Sequence, residues 1–450
     1  MSEPSTNSAP QHTAALASAR IVLTTFGTLG DVHPLIALAL ELTRRGHRPV
    51  LAVPELFRRK VEPLGIAFRP IRPNLDPEDS ELVALLMDIR KGTERTLREV
   101  LFPAIRDSYA DLLAVVQEDG GADLLLAGEL VYAAPIVAEV TRMPWASYVL
   151  APMSYFSVYD PPVLPPYPLL AKVEALLPGM GHLMGRFIRH ITRHWPEPVY
   201  RLRMELGLPR GEDPILDAKH SPHLALAIFS PVLGTPQEDW PSSAVVTGFA
   251  FYDGDAGKQE LPPELAQFLL DGEAAGEAPV VFTLGSAAVL SAGDFYEESA
   301  RAAELLGIRA VLLVGTDKRN VPARPLPASI CVAEYAPYSK LFPRAAAIVH
   351  QGGVGTTANA LRAGRPMLVM PYSHDQPDNA RRVRRLGVAR VLRRQEYTAE
   401  RAAKEIGRLL ANPKYARRAE RIGFELRHED GVNSACDALE GLLKSQSPTA

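Results

Sequence analysis

A chain of 450 residues with 49 Lys and Arg against 52 Asp and Glu carries a net charge of −3, so it offers no broad basic field to a nucleic-acid backbone. Hydrophobic residues make up 47% and charged residues 22%, which excludes a disordered chain and, at this length, calls for two or three hydrophobic cores. The two cysteines, Cys331 and Cys436, cannot staple a secreted scaffold of this size, so a reduced, cytoplasmic setting is expected.

The first 18 residues are rich in Ser, Pro and Thr, carry an acid before the first base and lack a continuous apolar run, which predicts a disordered tail rather than a signal peptide. From Ile21 the pattern is a short apolar run, a turn and a helix-period segment, repeated. IVLTTF (21–26) predicts a buried strand, GTLGDVHP (27–34) a loop, and LIALALELTRRG (35–46) a helix. RPVLAVP (48–54), ADLLLAG (122–128) and PWASYVL (144–150) predict further strands. The longest apolar stretch, roughly Leu124 to Ala138, is interrupted by Glu129 and falls short of the ~20 residues of a membrane span.

Between about residues 151 and 200 the alternation lapses into an aromatic, proline-rich stretch and an apolar segment at helical spacing. It reads as packing that caps the first sheet, as the wall of a hydrophobic acceptor pocket, or, through Arg186, Arg189 and Arg193, as a face for peripheral membrane contact. Residues 235–264 are rich in Pro, Gly and Asp around one strand-like run, AVVTGFAF (244–251). A second series of short apolar runs follows, at 280–286, 309–315, 329–337, 346–353, 366–372 and 389–394. Strands alternating with helices predict an α/β chain with two doubly wound, Rossmann-like parallel-sheet domains. The boundaries expected are a tail at 1–18, an N-terminal domain at 19–235, a linker at 236–260, a C-terminal domain at 261–425 and a last helix at 426–443.

The most informative stretch is HQGGVGTTANALRAGRPMLVMPYSHDQ (350–376). A strand ends at His350, Gly352, Gly353 and Gly355 make a tight turn, and Thr356 and Thr357 open a helix. Free backbone N–H groups and the positive helix end then converge on one point suited to phosphate oxygens, with His350 and the threonine hydroxyls as further donors. Neither GxxxxGK[ST] nor GxGxxG is present. Asp375 and Gln376 follow the next strand, at its carboxyl end, where open α/β sheets bind ligands. A carboxylate beside an amide suits adjacent sugar hydroxyls, while the bland reading is an Asx-turn before Pro377.

Residues 350–376 resemble the donor-binding signature of the family-1 nucleotide-sugar glycosyltransferases, enzymes with two facing Rossmann-like domains (the GT-B fold). With GTLGDVHP near the start, the HxGGxGTT form is similar to the bacterial antibiotic, rhamnolipid and sterol branch. It departs from the plant pattern, in which Trp, Asn, Ser and Glu occupy the places of Gly353, Val354, Gly355 and Ala358. The resemblance implies that His350 and the Gly355–Thr357 amides hold a diphosphate and that Asp375 and Gln376 hold the sugar. It places Tyr335, Ala336 and Tyr338 in the base-stacking segment, and Gly285 and Ser286 on the opposite side of the phosphates, with Gly30 also among the donor residues. The last helix would cross back to the first domain.

Glycosyl transfer needs a base for the acceptor hydroxyl. The resemblance puts Asp31 where many relatives carry a catalytic His; read alone, Asp31 equally suits a helix N-cap. His33 is the rival by pKa but falls two residues beyond that position. Glu129 is a candidate second carboxylate, and Met153, Tyr155, Phe156 and Tyr159 are candidates for a hydrophobic acceptor wall. No DxD pair or His/Cys cluster predicts a metal, and no cofactor is expected beyond the sugar nucleotide. The function expected is inverting transfer of glucose from UDP-glucose to a hydroxyl of a phenolic, steroid-like, macrolide or lipid acceptor. The alternatives are a dTDP-deoxysugar (rhamnosyl-type) transferase, a sugar-nucleotide epimerase and a non-catalytic sugar-nucleotide binder.

Overall fold

A computed structural model describes residues 18–75, 79–167, 180–254 and 260–446. Residues 1–17 of the expected tail, 168–179 of the lapse and 255–259 of the expected linker lie outside the described residues. Seven strands form the first sheet: β1 (Arg20–Thr24), β2 (Arg48–Val53), β3 (Ala67–Pro70), β4 (Leu124–Gly128), β5 (Trp145–Val149), β6 (Ala225–Ala227) and β7 (Ala244–Val246). Their order is β3-β2-β1-β4-β5-β6-β7, parallel throughout. Six more form the second: β8 (Val280–Thr283), β9 (Ala310–Leu313), β10 (Ile330–Ala333), β11 (Ala347–His350), β12 (Met367–Val369) and β13 (Ala389–Val391). These run β10-β9-β8-β11-β12-β13, again all parallel. The central strands are covered by helices on both faces, which is why Ile21, Val22 and Leu23 in β1 and Ile348 and Val349 in β11 are fully buried and read as unbroken apolar runs.

The structure corrects three boundaries. First, the helix expected from residue 35 starts at Leu29 and runs to Arg44 with Pro34 inside it. Thr28 caps it: its hydroxyl accepts from the Gly30 N–H, and Asp31, three residues on, accepts from the Thr28 N–H, closing a capping box. This local pair outweighs the proline, which removes only one helical bond at Gly30 O. Second, β7 falls inside the stretch expected to be linker; Ala244–Val246 pairs with β6 and completes the first sheet. Third, the last helix expected at 426–443 spans Gly431–Gln446 and follows a helix at Pro413–Arg427. This last helix packs on the Leu29–Arg44 helix through Ala435, Cys436 and Leu439, and Arg45 meets Asp437 at 2.6 Å while His47 meets Glu440 at 3.2 Å.

The domains also share an apolar seam. Phe229 and Trp240, from the first, lie in one buried cluster with Ile348 and Ala360 of the second.

Candidate active site

In both sheets the strand order reverses direction between the first and fourth strands of the set, at β1/β4 and at β8/β11. Loops leaving neighbouring strands there diverge to opposite faces and open a crevice at their carboxyl ends. Asp31 follows β1, Glu129 follows β4, Gly285 and Ser286 follow β8, and the glycine turn follows β11. The fold therefore brings segments far apart in sequence to one cleft.

Asp31 Oδ2 accepts from the Thr28 backbone N–H at 2.7 Å and from its hydroxyl at 3.3 Å. Burial nevertheless pushes its pKa up to about 6, against those hydrogen bonds and with a further upward push from the charge of Glu129. Gly27 is required beside it: its φ is +142°, and a Cβ there would lie 2.2 Å from Asp31 Oδ2. His33 lines the same cleft, its ring 5.2 Å from that of Tyr252, with burial lowering its pKa to about 4.

The turn after β11 opens the helix Val354–Arg362, with Gly353 at its N-cap and no side chain capping it. Of the amides expected as donors, the Thr357 N–H already donates to Gly353 O at 2.9 Å, which leaves those of Gly355 and Thr356 in the first turn. Gly352 holds φ +90°, and a Cβ there would meet Val369 Cγ1 at 2.8 Å. His350 is fully buried, and its Nδ1 accepts from the Gly352 N–H at 3.0 Å, so the ring proton sits on Nε2. Burial lowers its pKa to about 3. His350 is thus a neutral group that shapes the turn, with one N–H left to donate. Thr356 lines the cleft, whereas Thr357 is fully buried beneath it.

Asp375 precedes the helix Gln376–Arg385, and its Oδ2 accepts from Asn379 Nδ2 at 2.6 Å. Burial pushes its pKa up to about 7, with the charges of Asp31 and Glu129 adding to the rise. Gln376 is only partly available: its Oε1 already accepts from the Tyr372 and Ser373 N–H groups at 2.8 and 3.3 Å. No Asx-turn forms at Asp375, since the residue two on is Pro377, which has no N–H, and the side chain meets Asn379 instead.

A cavity of about 400 Å³ fills the cleft. Gly30, Gly285, Ser286, Tyr335, Tyr338, Gly355 and Thr356 all line it, with His33, Leu150 and Ile228 on the N-terminal side and Phe249–Asp253 from the connection between the domains. Tyr338 is turned inward, stacked on Phe342 at 4.2 Å with its hydroxyl 3.0 Å from Thr283 Oγ1, so Tyr335, 56% exposed, is the ring that faces the opening. Ala336, His350, Gly352 and Gly353 stand behind the lining.

Of the acceptor residues expected from the sequence, Glu129 and Phe156 come together around Lys219, whose Nζ is 2.6 Å from Glu129 Oε2 and 5.1 Å from the centre of the Phe156 ring. Tyr155 is core, stacked on Trp240 at 4.2 Å; Tyr159 is 53% exposed and sits edge-on to His182. Met153 is half-buried, and none of these nor Phe156 lines the cleft cavity. For Tyr155 the aromatic clustering reflects packing. Glu129 is already engaged, accepting from Ser154 Oγ at 2.5 Å and from Lys219 Nζ at 2.6 Å. Lys219, whose side chain is 5% exposed, carried no local sequence signal. Among the described residues no group of three or more His, Cys, Asp or Glu is placed to hold a metal ion, and no helix is long and apolar enough to cross a membrane.

The chain matches the glycosyltransferase family 28 N-terminal domain over residues 21–152 and the erythromycin biosynthesis protein CIII-like C-terminal domain over residues 304–430. It is 34% identical over 436 residues to the O-mycaminosyltylonolide 6-deoxyallosyltransferase of Streptomyces fradiae, covering 94% of this chain and 97% of that one. It is 28% identical to the sterol 3-beta-glucosyltransferase of Neurospora crassa over 93% of this chain, although it spans only 27% of that longer protein. Among solved structures, the spinosyn rhamnosyltransferase SpnG complexed with thymidine diphosphate superposes with a TM-score of 0.68 at 18% identity, covering 94% of this chain and 100% of that one. The glycosyltransferase SnogD from Streptomyces nogalater superposes with a TM-score of 0.63 at 22% identity, over 95% of this chain and 100% of that one. The two facing parallel-sheet domains and these relationships place the chain in one family: it belongs to the family-1 nucleotide-sugar glycosyltransferases of the GT-B fold.

Proposed function

We propose that the protein transfers a sugar, with inversion, from a pyrimidine nucleoside diphosphate to a hydroxyl of an apolar small molecule. The observation that carries this reading is the cleft lined by Gly30 and His33, the neighbours of Asp31 after β1, and by Val354, Gly355 and Thr356 of the turn after β11, with the charge of Asp31 felt at Asp375. A carboxylate with a pKa of about 6 is ionised near neutral pH and more basic than an ordinary Asp, which suits a general base. Asp31 takes the acceptor proton as the acceptor oxygen bonds to the anomeric carbon. The bond from that carbon to the diphosphate breaks on the opposite face, and the electron pair leaves with the diphosphate. The uncapped N–H groups at the start of the Val354–Arg362 helix stabilise that growing charge without reorganising.

The donor we infer is a 6-deoxyhexose on dTDP. Gln376 Oε1 and Asp375 Oδ2 are engaged within the protein, so few polar atoms remain for a fully hydroxylated ring. The named activity of the Streptomyces fradiae relative supports the same choice. UDP-glucose is the second reading, supported by the sterol glucosyltransferase likeness. For the acceptor we infer a macrolide- or sterol-like molecule. Incubation with labelled dTDP-6-deoxyhexoses and UDP-glucose against a macrolide, sterol and phenol panel tests these choices. Transfer is expected, fastest with the deoxysugar. Scrambling at C2 without transfer would instead indicate an epimerase, and binding without either would indicate a silent binder.

A further inference from the structure

The loop and helix that carry Asp375 and Gln376 are gripped at both ends by the other domain. At the near end, a helical arm of the N-terminal domain (Ser80–Leu86 and Gly92–Arg95) reaches the C-terminal domain. Its Met87 is buried in the C-terminal core beside Ala292, Met370 and Tyr372, 3.9 Å by Sδ from Ser373 Oγ. Thr93 Oγ1 lies 3.2 Å from His374 Nδ1, and His374 is held at φ +55°, a left-handed conformation uncommon for a non-glycine residue. Gly92 fits only as glycine, since a Cβ would lie 2.2 Å from Leu86 O. At the far end, Asp160 of the N-terminal domain meets Arg382 Nη1 at 2.5 Å, Arg382 Nε meets Asp378 at 2.6 Å, and Asp378 Oδ1 accepts from the Val163 N–H at 3.0 Å. Asp378 and Arg382 are essentially inaccessible to solvent. A buried charge network of this kind adds little net stability but fixes geometry, because any other arrangement leaves a charge unpaired.

We propose that Met87 and Asp160 are positioning residues for the donor sugar: from opposite ends they set the place of Asp375 and Gln376, so that the acceptor-side domain fixes the sugar-binding geometry of the donor-side domain. Neither residue touches the cleft cavity, so each acts through the 373–382 segment. The inference rests on the reading that Asp375 and Gln376 face the donor sugar; the diphosphate, held by other segments, is outside the grip.

The test uses the full chain with Met87→Ala, Met87→Leu and Asp160→Asn. Calorimetry gives the Kd of bare dTDP and UDP, steady-state kinetics give kcat/KM for the sugar nucleotide, and hydrogen exchange follows residues 370–385 in the free protein. Met87→Ala and Asp160→Asn are expected to lower kcat/KM about 10- to 100-fold, the scale of a small misplacement, with bare-nucleotide affinity within about twofold. Exchange across 370–385 should accelerate in both, and the volume-matched Met87→Leu should restore wild-type values. Unchanged exchange overturns the grip whether or not the wild type transfers sugar. Unchanged kcat/KM, or an equal loss of bare-nucleotide affinity, overturns the positioning role. A wild type that transfers nothing while exchange in the variants accelerates would instead count against the proposed function.

Discussion

Asp31 closes a ring of three residues onto Thr28: its carboxylate accepts from the Thr28 N–H at 2.7 Å, while the Thr28 hydroxyl accepts from the Gly30 N–H at 3.1 Å. The carboxylate that caps the helix is the one we propose as the base, and its hydrogen bonds to Thr28 both fall on Oδ2. Asp31→Asn keeps the cap oxygen and loses the base, so turnover should fall about 10²–10⁴-fold while the Kd for nucleoside diphosphate stays unchanged. In the wild type kcat/KM should drop as pH falls through about 6, where burial places the Asp31 pKa. An acid limb near 4 would mean that a different group limits the reaction.

Gly27→Ala should inactivate without removing any catalytic atom. The new Cβ would lie 2.2 Å from Asp31 Oδ2 at φ +142°, so the carboxylate must swing away or the loop must shift. Loss of kcat at least as large as about 10²-fold, with the Leu29–Arg44 helix intact by circular dichroism, is expected.

Asp375→Asn should stabilise the free protein in a pH-dependent way. Its carboxyl pKa is raised from 3.8 to about 7 in the folded chain by burial, so the native state holds a proton that the unfolded state has released. The penalty is absent below about pH 3.8, grows through the window up to about 7 and is full above it. Removing the charge should therefore raise Tm by about 1–4 °C at pH 8, with a smaller gain at pH 5. Equal gains at both pH values would show that the carboxyl is not held protonated. The transfer rate should fall, as expected where function keeps a strained group.

Leu439→Ala tests the return of the last helix. Leu439 is fully buried in the cluster that contains Leu35 and Leu38, so the truncation should cost about 2–5 kcal/mol in a denaturant titration that monitors the N-terminal domain. A loss seen only by probes of the C-terminal domain would contradict that packing.

Both sheets were legible because parallel strands buried on two faces leave uninterrupted apolar runs such as Val22–Leu23 and Ile348–Val349. β3 and β6 were not: Ala67–Pro70 is an edge strand with alternating exposure, and Ala225–Ala227 is only three residues long. The glycine turn was legible since positive φ and close packing at Gly352 demand glycine at fixed spacing. The helix start at Leu29 was hidden by Pro34, and the arm around Met87 by its ordinary helical pattern, which gives no sign that its partners lie nearly three hundred residues away. Within the aromatic run 153–159, a ring in a core and a ring in a pocket look alike in sequence, and only Trp240 stacked on Tyr155 shows that ring to be core.

The most direct test of the account is a crystal structure of the protein with dTDP or UDP bound. It should show the diphosphate against the N–H groups of Gly355 and Thr356, the base beside Tyr335, and the terminal phosphate facing Asp31 across the cleft. A nucleotide seated elsewhere, or one whose terminal phosphate points away from Asp31, would contradict it.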